Sequence, residues 1–107
     1  MSLSKALDLN HSDLKYSAEL GYAYAVSGDE QRALTIISTL KKSPASLAIY
    51  LIAEIYAGLG DKEQAFSWLN KAYDVHFPFL SDFRVTPQFD VLRSDPRYAK
   101  LSRRMNL

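Results

Sequence analysis

Cysteine is absent from the 107 residues, which excludes disulfides, thiolate metal sites and a cysteine nucleophile together. No apolar run approaches the roughly 20 residues needed to cross a bilayer. The opening Met1-Ser2-Leu3-Ser4-Lys5 also lacks the apolar core of a signal peptide. These absences suit a cytoplasmic protein with no membrane partner. A surplus of one charge is missing too: 13 Lys/Arg stand against 12 Asp/Glu, so bulk electrostatics demand neither a nucleic acid nor an anionic membrane. The balance is uneven along the chain. Residues 1–75 hold seven basic and nine acidic side chains, whereas residues 76–107 hold six and three.

The motifs of catalysis are missing as well. No H-E-x-x-H, G-x-S-x-G, G-x-x-x-x-G-K-[ST] or G-x-G-x-x-G occurs. The two histidines, His11 and His76, are far apart in the chain and fall at expected helix boundaries, where imidazole complements a helix C-terminus or meets solvent. Gly58-Leu59-Gly60 ends a helix instead of joining a strand to one, so it does not cradle phosphate. Asp90 and Asp95 read as caps. The expectation is a protein that is not an enzyme, with no metal, cofactor or small-molecule substrate.

What the chain does have is a phrase used twice. Tyr24-Ala25-Val26-Ser27-Gly28-Asp29, then Ala33, returns as Tyr56-Ala57-Gly58-Leu59-Gly60-Asp61, then Ala65, and every identical letter keeps one constant offset from its partner. An offset in the range of about 30–35 residues marks stacked helical units that bury their apolar faces on neighbours. The first helix is expected over 13–27, with Leu14, Ala18, Leu20, Gly21, Tyr24 and Ala25 on one side. A second follows over 30–42, with Ala33, Leu34, Ile36, Ile37 and Leu40 inward. Gly28 supplies the left-handed turn and Asp29 the next cap. Pro44 is expected in the first turn of a third helix running to Leu59, and Asp61 opens a fourth carrying Ala65, Phe66, Leu69, Ala72 and Tyr73. Gly21 and Ala53, like Ala33 and Ala65, are small residues that permit close helix crossings, flanked by Leu20, Tyr24, Ile52 and Tyr56.

The tail differs. Thr86-Pro87 and Asp95-Pro96 are cap-then-proline starts that predict a short helix at 87–92 and a longer one at 96–105. Phe77, Phe79, Leu80, Phe83, Phe89 and Leu92 make the link apolar, so the segment should pack as a cap over the last helix.

Both units resemble tetratricopeptide repeats (TPR): Gly21, Tyr24, Gly28, Asp29 and Ala33 stand at signature places, as do Ala53, Tyr56, Gly60, Asp61, Ala65 and Ala72. Departures include a period slightly shorter than the family's, Leu40 in a small-residue place, and Ser17 and Ile49 where an aromatic is commonest. The resemblance implies an all-α fold of antiparallel helical hairpins stacked as a short right-handed solenoid. Its parts are the end of a preceding repeat (1–11), repeats at 13–43 and 44–76, and a helical cap at 77–107. Ser4 to Asn10 resembles the close of a second helix, which implies the C-terminal portion of something longer. The ending from Pro87 to Met105 is similar to those of bacterial multidomain signalling proteins with TPR regions.

The resemblance also implies a function. In TPR stacks the first helix of each repeat lines a concave groove, which nominates Lys15, Ala18, Glu19, Tyr22 and Val26, then Leu47, Tyr50, Leu51 and Glu54. The subclass that grips a terminal carboxylate uses Lys and Asn where this chain has Ala18, Tyr22 and Leu51, so that clamp is absent. The remaining surface suits an apolar or amphipathic protein segment bearing Lys or Arg, with Tyr50 open to the partner. The alternative is self-association with a second copy through the groove or the N-terminal end. Nucleic-acid contact through Arg84, Arg93, Arg97, Lys100, Arg103 and Arg104 ranks behind both, because it needs Phe83, Phe89 and Tyr98 for stacking where the cap needs core.

Overall fold

Each copy of the duplicated phrase folds into the same three hydrogen bonds. In the computed structural model, which describes residues 11–105, Ser27 N donates to the Ala23 carbonyl, Gly28 N to Ala25 and Asp29 N to Tyr24. Leu59, Gly60 and Asp61 repeat this on Ile55, Ala57 and Tyr56. The pattern satisfies the last free carbonyls of a helix and needs a left-handed residue, supplied by Gly28 (φ 93°) and Gly60 (φ 79°). The following aspartates cap the next helix, Asp29 accepting from Arg32 N at 3.3 Å and Asp61 from Gln64 N at 3.1 Å. A third turn of the same plan appears further along the chain, with Val75, His76 and Phe77 bonded to Lys71, Tyr73 and Ala72. Here the left-handed residue is His76 (φ 59°), a residue type that adopts this conformation more often than most, though far less readily than glycine.

The resulting elements are α1 (His11–Val26), α2 (Glu30–Lys41), α3 (Ser46–Gly58) and α4 (Lys62–Asp74), then two 3₁₀ turns (Leu80–Arg84 and Pro87–Leu92) and α5 (Pro96–Arg104). The described residues are all-helical, with no strand, and no helix among them is long and apolar enough to cross a membrane. The expected end of a preceding helix lies, His11 apart, outside the described residues. α1 starts at His11, slightly before its expected start at Asp13. α3 begins at Ser46, because Ser43 Oγ accepts from Ala45 N and holds Pro44 in the connection. The first 3₁₀ turn is not anticipated from the sequence.

The turns fold α1 onto α2 and α3 onto α4, and α3 also packs against α1 and α2. Bare glycines set the α1–α3 approach. A Cβ on Gly21 would lie 2.6 Å from Ile55 Cδ1, and one on Gly58 would lie 2.8 Å from the Tyr22 ring. α3 is the centre of the molecule, burying Ala48, Tyr50, Leu51, Ile52, Ala53, Ile55 and Ala57. Leu20 and Leu34, expected inward, are instead 38% and 42% exposed. In the cap Phe77, Leu80, Phe83, Phe89, Leu92 and Leu101 are buried, whereas Phe79, expected to pack with them, is exposed; the second 3₁₀ turn lies on α3, and α5 lies on α4. Two arginines of α5 hold it there, Arg97 4.9 Å over the Phe66 ring and Arg104 4.3 Å over Tyr73. Trp68 of α4 is half-buried between Lys41 of α2 and Lys71.

Candidate binding groove

The left-handed turn at His76 reverses the chain so that Phe77 enters the space beside α3. There it stacks on Tyr50 with ring centroids 5.2 Å apart, while Phe89 meets the same ring edge-on at 5.5 Å. The Thr86 hydroxyl donates to the Asp82 carbonyl at 2.8 Å, so its one proton is used. Tyr50 therefore donates in the 3.1 Å bond between Tyr50 Oη and Thr86 Oγ1. Burial pushes the Tyr50 hydroxyl far above its ordinary pKa, and the Glu54 and Asp82 charges add to the rise. It stays a donor. Tyr50 is a pillar between α3 and the cap, 5% exposed.

Beside this pillar runs an open groove of about 690 Å³. α1 contributes Lys15 and Glu19; α3 contributes Leu47, Tyr50, Leu51 and Glu54; the cap supplies Phe77, Phe79, Asp82, Thr86 and Gln88. Phe79 is 63% exposed and touches Phe77 edge-on at 6.0 Å, giving the rim an apolar anchor. Across from it the carboxyl of Glu54 is held up at about 7 by burial first and the Glu19 charge second, with Lys15 opposing. Among the described lining residues three carboxyl groups, Glu19, Glu54 and Asp82, stand with one ammonium, Lys15, an acidic balance.

Six of the nine nominated residues line this groove and three do not. Ala18 is 2% exposed and belongs to the core. Tyr22 lies against Gly58, where the missing Cβ makes room for its ring. Val26, at the end of α1, faces solvent beyond the groove. Tyr50 and Leu51 form the floor and are not open to a partner as expected. The wall from the cap is what the sequence leaves unread, since Phe77 and Phe79 look like ordinary core in an apolar link.

No protein-family model, curated protein or solved structure matches the chain. The groove itself therefore carries the functional reading. Its lining offers carboxylates and aromatic surface, and its hydroxyls at Tyr50 and Thr86 bond each other. That arrangement can seat an apolar side chain and neutralise a neighbouring cation. The basic tail offers less than the sequence implies for nucleic acid, because Phe83 and Phe89 are wholly buried and cannot stack on bases. Arg97 and Arg104 are occupied by Asp95 at 2.9 Å and by Asn70 Oδ1 at 2.6 Å.

Proposed function

We propose that this chain is a TPR-like, non-catalytic interaction module, cytoplasmic and part of a bacterial signalling or regulatory protein. Its groove takes an apolar or amphipathic protein segment that carries a Lys or Arg. The observation that supports this reading most is the pairing of an exposed aromatic, Phe79, with Glu19 and Glu54 across one open cleft. An aromatic anchor beside partly desolvated charge is the composition of binding hot spots. A library of short amphipathic peptides, screened by fluorescence anisotropy, tests it. Binding should favour peptides with a basic residue next to an apolar one and fall at least about tenfold in Glu19→Lys/Glu54→Lys and in Phe79→Ser. Selected peptides indifferent to all three changes would remove the groove from consideration.

Self-association is the second reading, supported by Tyr16, Leu20 and Val26 of α1 and Leu34 of α2, all more than a third exposed. Light scattering across concentration separates the two. A dimer abolished by Tyr16→Ser/Leu20→Ser favours this reading, and a monomer at every concentration rejects it.

A further inference from the structure

Away from the groove, the outer side of the cap holds a second depression of about 650 Å³. Ser81 and Arg84 of the first 3₁₀ turn, Arg93, and Tyr98, Ser102 and Arg103 of α5 make its wall, and no carboxylate lines it among the described residues. Arg93 is fixed, its Nε donating to Asp90 at 2.8 Å and its Nη2 to the Arg84 carbonyl oxygen. Arg84 and Arg103 are exposed, and their guanidinium groups meet no partner among the described residues. They thus differ from Arg97 and Arg104, which are bound to the protein's own side chains. Tyr98, whose ring packs 4.9 Å from Phe83, keeps a buried hydroxyl without a hydrogen-bond partner among the described residues.

Guanidinium groups gathered at one hollow repel one another unless an anion joins them, and their planar forks match the oxygens of a tetrahedral oxyanion. The Ser81 and Ser102 hydroxyls add neutral donors to the lining. The hollow's lining holds one aromatic ring, the half-buried Tyr98, and Phe83 and Phe89 are wholly buried, so successive bases find no stacking platform there. A small, doubly charged group is served better here than a strand of single charges. We infer that this hollow is an anion site for a phosphate monoester, gripped by Arg84 and Arg103 with Arg93 as a fixed third cation. The monoester belongs either to a phosphorylated side chain of a protein or to a small phosphorylated molecule. This site is independent of the groove.

Amide NMR of the whole chain at low ionic strength tests it, with inorganic phosphate as the first probe and a short phosphoserine peptide as the second. Saturable shifts are expected in Ser81, Arg84, Val85 and residues 98–103, leaving Lys15, Glu19, Leu47 and Glu54 of the groove unmoved. Arg84→Gln/Arg103→Gln should weaken phosphate binding at least about tenfold, and Arg84→Lys/Arg103→Lys should fall between, since lysine keeps the charge without the fork. Both guanidinium groups are unpartnered among the described residues, so the variants should melt with the parent. A peptide that binds more tightly than phosphate identifies a phosphorylated segment as the source; equal binding identifies a small molecule. No saturable shift at about 20 mM phosphate, a concentration that reports even millimolar affinity, overturns the site. So does unchanged affinity in the glutamine variant. A single-stranded oligonucleotide that binds there more tightly than either probe overturns the monoester assignment in favour of a phosphodiester chain.

Discussion

The two hairpins share their turns and differ in what covers them. α1 and α3 occupy equivalent places in the duplicated register and end on identical hydrogen bonds. Yet α1 exposes Tyr16, Leu20 and Val26, whereas no large side chain of α3 is exposed. α3 is enclosed by α1, α2, α4 and the cap, while α1 has described neighbours on α2 and α3. Turn chemistry is therefore local and survives duplication. The fate of a face is not local, because it depends on which other element arrives to cover it.

The sharpest way to break this comparison is to change equivalent surfaces unequally. Tyr50→Arg puts a charge where Phe77 and Phe89 pack, and should cost about 3–5 kcal/mol and detach the cap. Tyr16→Arg on α1 should stay within about 0.5 kcal/mol. Thermal melts followed by circular dichroism compare them, and equal losses would mean that α1 is as enclosed as α3.

Next in size is Gly21→Leu, which drives a side chain into Ile55 and Ile36 where even a Cβ is too close. A loss of about 1–3 kcal/mol is expected in a urea titration.

Acidity gives a third test, confined to the groove. Glu54 is protonated in both folded and unfolded states below its unfolded value of 4.5, so it costs nothing there. Between 4.5 and about 7 the unfolded carboxyl has ionised and the folded one has not, so stability falls as pH rises and levels off above that window. Glu54→Gln should flatten that slope and gain on the order of 2 kcal/mol at pH 8. A cationic peptide in the groove should release a proton on binding, read as a buffer-dependent heat.

The smallest effect concerns the third turn. His76→Gly relieves a left-handed residue that costs roughly 1–2 kcal/mol but frees the unfolded chain, leaving a net gain of about 0.5 kcal/mol. Gly60→Ala, at the equivalent place, should lose stability in the same melt.

The sequence makes the turns, caps and small-residue crossings legible, because each is decided by neighbours a few positions away. Gly28, Asp29, Gly60 and Asp61 are examples. Apolar character alone misplaces Leu20 and Leu34: the helical period sets Leu20 about 160° from buried Ala18 and Leu34 about 100° from buried Ala33, and both point outward. The TPR resemblance nominates residues of the floor and one wall of the groove, although it expects Tyr50 and Leu51 to be open where they are buried. The other wall is not, since Phe77 and Thr86 reach Tyr50, and Phe79 reaches Phe77, only after His76 adopts a left-handed conformation that histidine signals far more weakly than glycine.

The single tryptophan decides how the molecule can be watched. Trp68 lies at the seam where Lys41 of α2 meets α4, and it is not part of the groove lining. Its emission will follow the parting of the two hairpins and remain silent when the groove fills. Tyrosine absorbance near Tyr50 is the optical channel for that second event, so one sample can report both without a label.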